Sequence, residues 1–121
     1  MVELTKAIDI LEKVNATDIK VFNFTGKSHL YDYFLIGTVN DRASQAALSY
    51  FNKEMKDNIR HIEGRNTIGW VLVDLGDIVV HLFGKDEREF YGFDQRFMEF
   101  VKNWTLKYFM TSYKKMSIMK N

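Results

Sequence analysis

Two carboxylates three residues apart, Asp74 and Asp77, close the two ends of the tetrapeptide Asp74-Leu75-Gly76-Asp77. Paired acids can hold a divalent cation for phosphoryl transfer. Aspartate is also a turn former, because its oxygens accept hydrogen bonds from nearby backbone N–H groups. No third carboxylate is evident in the sequence to complete a metal set, so turn chemistry is the stronger reading. Gly26-Lys27-Ser28 has the ending of a phosphate-cradling loop. That pattern needs a glycine where Val21 stands, and it opens a helix where this chain continues into a strand. His29, His61 and His81 are dispersed and there is no cysteine, which argues against a zinc site and excludes a disulfide. Ser28, Ser44 and Ser49 lack the Gly-x-Ser-x-Gly setting of a nucleophile elbow. Acid, base and nucleophile do not assemble, so the sequence argues against an enzyme and calls for no cofactor.

The acid pair sits in the stretch around which the chain is organised, Ile68 to Phe83. Val71, Leu72 and Val73 precede the turn, and Ile78, Val79 and Val80 follow it. β-branched side chains fit a pleated surface, and Gly76 can take the positive φ of a tight hairpin turn. Alternation places Trp70, Leu72 and Asp74 on one face and Val71 and Val73 on the other. Apolar groups on both faces predict a central hairpin covered on both sides. Within it, His81 reads as a hydrogen-bonded structural histidine. Trp70 near a strand end and Leu75 at a turn tip admit two readings: core residues, or outward anchors for a protein partner of the kind that dominates interface energetics.

The remaining elements follow from periodicity. Leu4, Ala7, Ile8 and Leu11 recur at helical steps over residues 3–14. Strands are expected at 19–24 and 33–36, the second nearly continuous in apolar character. Asn40 or Asp41 caps a helix running to about residue 58, residues 60–63 can form a short strand, and a helix begins near Asp86. The order α-β-β-α-β-β-β-α gives an α/β domain with a mixed sheet of about five strands flanked by helices. Residues 94–110 continue with helical spacing, which predicts a C-terminal helical extension.

At 121 residues, 46% of them hydrophobic, the chain can build one genuine core. No secretory leader and no apolar run of membrane-spanning length is visible, so a cytoplasmic protein is expected. The net charge of +1 is unevenly placed. Residues 99–121 carry five lysines and one acid, a net +4; residues 1–98 carry 12 basic and 15 acidic groups, a net −3. The basic tail interleaves Trp104, Tyr108, Phe109 and Tyr113 with Lys102, Lys107, Lys114 and Lys115. It reads as a helix packing its aromatics on the domain or on a second copy in a homodimer, or as a contact to RNA.

Asp32-Tyr33-Phe34-Leu35-Ile36, Arg42 and Gln45 at a helix start, Glu63-Gly64, Trp70 and above all Asp74 through Phe83, with Arg88, Phe90 and Tyr91 downstream, resemble the Iojap family. Its bacterial members are the ribosomal silencing factors. The likeness covers about residues 3–98, which sets a silencing-factor domain at 1–98 and an extension at 99–121. The resemblance implies a nucleotidyltransferase-like topology without an enzymatic role. It further implies binding to the large ribosomal subunit through ribosomal protein L fourteen, and steric exclusion of the small subunit; an RNA met by the tail would then be ribosomal RNA. By matching motif, Trp70, Asp74, Leu75 and Asp77 are the expected partner-binding residues. Lys27, Ser28 and Arg65 lie on loops that could flank the same surface. Asn40-Asp41-Arg42 departs from the family's more serine-rich helix start. The rival is a nucleotidyltransferase-like enzyme using Asp74 and Asp77 with a divalent metal.

Overall fold

A computed structural model describes residues 2–64, 69–96 and 117–120. Helix α1 (Val2–Lys13) leads into strands β1 (Thr17–Asn23) and β2 (Tyr33–Thr38), then helix α2 (Asp41–Glu54) and a single 3₁₀ turn at Lys56–Asn58. Strands β3 (His61–Glu63), β4 (Trp70–Asp74) and β5 (Ile78–Phe83) precede helices α3 (Lys85–Tyr91) and α4 (Phe93–Arg96), and β6 (Ser117–Lys120) comes last. The mixed sheet has the order β3-β4-β5-β2-β1-β6. The hairpin is antiparallel, with Trp70 opposite Phe83 and Asp74 opposite Val79, and β5 runs parallel to β2.

The expected five strands are present, and a sixth, β6, pairs parallel with β1. Ser117–Lys120 is thus strand where a helical extension is expected, because extended pairing satisfies its backbone through β1. The other tail residues, Trp104, Tyr108, Phe109, Tyr113 and their interleaved lysines among them, lie outside the described residues. Among the described residues no helix is long and apolar enough to cross a membrane.

The sheet has two unlike faces. Leu4, Ala7, Ile8 and Leu11 of α1, with Ala47, Leu48 and Phe51 of α2, pack on Val21, Leu35, Val71, Val73, Ile78, Val80 and Leu82. Gly37 lets α1 approach closely, since a Cβ there would meet Leu11 Cδ2 at 3.0 Å. The α2 start is fixed by Asn40, whose side-chain oxygen accepts a hydrogen bond from the Ala43 N–H at 2.7 Å. The second face carries Phe22, Phe24, Phe34, Ile36 and Phe83, with Tyr31, Trp70 and Val79 half-buried beside them. Along β4 burial alternates strictly: Val71 and Val73 are sealed, whereas Trp70, Leu72 and Asp74 are half-exposed. Strand β5 has the expected two-sided cover, with only Val79 half-buried, whereas β4 is covered on one side and partly open on the other.

Helix α3 is anchored by a buried cation. Arg88, 7% exposed, donates from Nε and Nη2 to both Asp94 carboxylate oxygens at 3.0 Å. Its Nη1 donates to the Asp18 carbonyl at 2.6 Å and to Thr38 Oγ1 at 2.8 Å. Burial alone would raise the Asp94 carboxyl, but hydrogen bonds from Arg88 and Lys20 outweigh it and hold its pKa below the ordinary value. Removing Arg88 leaves the half-buried Asp94 with Lys20 alone and takes the buried donor from the Asp18 carbonyl and the Thr38 hydroxyl. Arg88→Met is expected to cost about 3–5 kcal/mol of unfolding free energy in urea titration, a larger loss than Lys20→Met at the more exposed edge of the network.

Candidate protein-docking face

Trp70 opens β4 on the less covered face. Its ring lies 4.7 Å from Phe83 and 4.9 Å from Tyr91, centroid to centroid, and its indole N–H donates to His81 Nδ1 at 3.2 Å. Tyr91 is 41% exposed and Phe90, packed edge-on against it at 5.2 Å, is 82% exposed. Arg88 and Tyr91 stand three residues apart on α3, a spacing that puts them on neighbouring parts of one helix face. The buried guanidinium thereby sets the helix that brings Tyr91 to the indole. Phe90 and Tyr91 are contributors that sequence reasoning noted only as part of a motif; the i, i+3 spacing from Arg88 was the available signal.

His81 is a hydrogen-bonded buried histidine, as expected. Phe34 meets it edge-on at 4.7 Å and Phe83 lies nearly parallel to it at 6.2 Å. Burial pushes its pKa down to about 3. The imidazole is therefore neutral near pH 7, and in the tautomer protonated at Nε2 its Nδ1 accepts from the indole.

The acid-flanked turn lies at the other end of β4. Four residues of strand separate Trp70 from Asp74, roughly 13 Å. Both point to the same face, with Leu72 between them. Asp74 Oδ1 accepts the Gly76 N–H at 2.8 Å, and Leu75 N–H donates to the Ile78 carbonyl at 2.8 Å. Gly76 takes φ +95°, as this turn requires. Asp77 is exposed, and its carbonyl accepts the N–H groups of Asp32 and Tyr33 at 2.7 and 3.0 Å. Those bonds tie the β1–β2 loop to the turn, so Lys27 and Ser28 belong to the loop at this end of the sheet. Lys27 is exposed, while Ser28 Oγ accepts from the Leu30 N–H at 3.1 Å and stiffens the loop. Arg65 lies outside the described residues.

Leu75 departs from expectation. It is 7% exposed and belongs to the core under α1 and α2. The turn curls toward the helix-covered face, so the leucine closes that end of the core and is not an outward anchor. Leu72 is the half-exposed leucine of this face, between the indole and the acid.

A second concavity, a cleft of about 760 Å³, opens where the parallel strands β2 and β5 end, between the starts of α2 and α3. Open α/β sheets commonly bind ligands at such a point. Here Glu87 packs so tightly over Gly69 and Gly84 that a Cβ on either glycine would collide with it. Its carboxylate occupies the position an anionic group would otherwise approach.

An α/β domain with an aromatic, acid-edged sheet face has the features of a binding module. The sequence matches, over residues 2–110, the family described as Ribosomal silencing factor during starvation, and the chain belongs to that family. It is 40% identical over 84 residues to the ribosomal silencing factor of Bacillus subtilis, covering 66% of this chain and 71% of that one. It is 33% identical over 96 residues to that of Halalkalibacterium halodurans, covering 76% and 82%. The mouse protein named Mitochondrial assembly of ribosomal large subunit protein 1 is 32% identical over 114 residues, 88% of this chain and 47% of its own length. A crystal structure from Chromobacterium violaceum superposes with TM-score 0.71 at 26% identity, covering 78% of this chain and 82% of that one. One from Bacillus halodurans gives 0.66 at 35% identity, covering 77% and 90%. Membership gives the chain a ribosome-directed, translation-silencing role.

Two stability measurements test the geometry. Leu75→Ala is expected to cost about 2–5 kcal/mol in urea unfolding, as for a core leucine. The second concerns acid. The folded state keeps His81 neutral down to about pH 3, whereas the unfolded chain protonates it from about pH 6.5. The contribution is present in full above pH 6.5 and is lost as pH falls toward 3, by up to roughly 5 kcal/mol. Asp94, whose pKa is also depressed, acts in the same direction at the acid end. His81→Phe should flatten the fall between pH 6.5 and 3 in pH-resolved urea titrations.

Proposed function

We propose that this chain binds the large ribosomal subunit through ribosomal protein L fourteen, using the β4 face, and blocks joining of the small subunit. Translation falls because the joining surface is occupied; no bond is made or broken. The observation that carries the reading is the row Trp70, Leu72, Asp74: three successive outward positions of one strand, none sealed, continued by exposed Tyr91 and Phe90. An aromatic cluster left half-open beside a fully packed core marks an interaction site. Trp and Tyr are the residues that most often dominate interface energetics.

Charge favours a protein over RNA as the direct partner of this face. Residues 1–98 carry a net −3; Glu63 pairs with Leu72 beside the indole, and Asp74 and Asp77 stand at the turn end of the same hairpin. These acids would repel phosphate but attract a basic ribosomal protein and steer its approach. The name of the mouse relative, which refers to assembly of the large ribosomal subunit, supports that subunit as the target. Cytoplasmic residence follows from such a partner in a bacterial cell.

The rival, nucleotidyl transfer by Asp74 and Asp77 with a divalent metal, is disfavoured by the use of Asp74 Oδ1 inside the turn and by Glu87 in the switch-point cleft. Among the described residues no group of three His, Cys, Asp or Glu side chains is placed to hold a metal ion.

Trp70→Ala should weaken co-sedimentation with isolated large subunits by at least about 2 kcal/mol, roughly 30-fold, while circular dichroism shows a folded domain. Asp77→Asn, an exposed rim change, should mainly slow association and reduce its dependence on salt. Wild-type co-sedimentation of Trp70→Ala would remove the β4 face from consideration.

A further inference from the structure

We propose that His81 is a positioning residue for docking: its Nδ1 holds the Trp70 indole in the orientation that meets the partner. This rests on the docking role of the β4 face. Trp70 is half-exposed and, being a large side chain at a strand end, would otherwise sample several rotamers that a partner must narrow to one. Contacts among the described residues help to limit it. Phe83 and Tyr91 lie against neighbouring sides of the ring at 4.7 and 4.9 Å, 6.3 Å from one another, and the indole N–H donates to His81 Nδ1 at 3.2 Å. Tilted ring contacts of this kind are weakly directional, whereas a hydrogen bond has a preferred line and so favours one orientation of the indole N–H.

His81 suits the task because it is itself immobile. It is 4% exposed, lies between Phe34 and Phe83, and sits in the middle of β5, where Leu72 of β4 and Ile36 of β2 are its paired neighbours. Its acceptor nitrogen is thus held by the central strands, not by a loop. A buried polar side chain in an otherwise apolar strand needs a reason, and packing alone would be met by phenylalanine. The acceptor is what histidine adds. The strand therefore transmits the rigidity of the sheet to a surface side chain through one hydrogen bond.

The test uses the full ¹⁵N-labelled chain and isolated large subunits at neutral pH. His81→Phe keeps a buried ring but removes the acceptor. His81→Asn keeps an acceptor near the Nδ1 position but loses ring packing. The Trp70 indole resonance is distinguished from that of Trp104, the other tryptophan, by its loss in Trp70→Phe. His81→Phe is expected to shift that resonance, to speed its hydrogen exchange and to weaken subunit binding roughly 3- to 10-fold, the scale of immobilising one side chain. His81→Asn is expected to lower the melting temperature yet bind within about 2-fold of wild type, so that affinity follows the acceptor and not stability. Should the asparagine variant fail to fold, indole exchange and affinity in His81→Phe decide the question. Wild-type exchange or wild-type affinity in His81→Phe would overturn the proposal. Trp70→Ala separates the two levels: if it binds normally, the docking reading falls and this role with it. If it binds weakly while His81→Phe binds normally, only the role of His81 falls.

Discussion

Period-two alternation along β4 is the constraint on which the rest of this structure depends. One set of side chains, Val71 and Val73, is sealed against α1 and α2, and that burial fixes which set must face the other way. A slip of one residue would exchange the sets, sending Trp70 and Asp74 into the core and the valines to the surface. The core therefore specifies the register, and the register specifies which side chains face outward. Pairing of β5 with β2 in parallel extends the same logic across the sheet, since it sets Val80 beside Leu35 on the sealed side and Val79 beside Phe34 on the other. A face that is only half-covered can keep a tryptophan in place because the opposite face is so fully packed.

Two buried polar side chains refine that surface, and both act by holding an aromatic. Arg88 fixes α3 against Asp94, the Asp18 carbonyl and Thr38, and so delivers Tyr91 to the indole. His81 meets the same indole from the middle of β5. Each polar group would be costly in an apolar setting without its partners. Their hydrogen bonds offset part of that cost, and their geometry orients the aromatic cluster. The acids at the turn contribute differently. Exposed charges add little to stability but would act over distance on a basic partner of the kind proposed.

Much of this was legible in the residues. The hairpin, its turn at Gly76, both amphipathic helices and the order of the first eight elements follow from alternation, helical spacing and cap chemistry. So did the shared face of Trp70, Leu72 and Asp74, because strand alternation is a property of the backbone. Leu75 was not legible as a core residue: a turn-tip leucine is sealed or exposed according to which way the turn curls, and that depends on a helix far earlier in the chain. Ser117–Lys120 read as helix because local spacing carries no information about a vacant strand edge on β1.

The sequence alone determined the element types as far as α3, the absence of thiol chemistry and the family, since these rest on local propensity, composition and motif order. Only the tertiary structure decided which face of the sheet is covered, that Leu75 lies inside, that Arg88 and Asp94 form a buried pair, and that His81, Trp70 and Tyr91 converge. Those outcomes depend on contacts between residues distant in the chain. Long-range packing sets them, and no local pattern of residues encodes the distance between two rings.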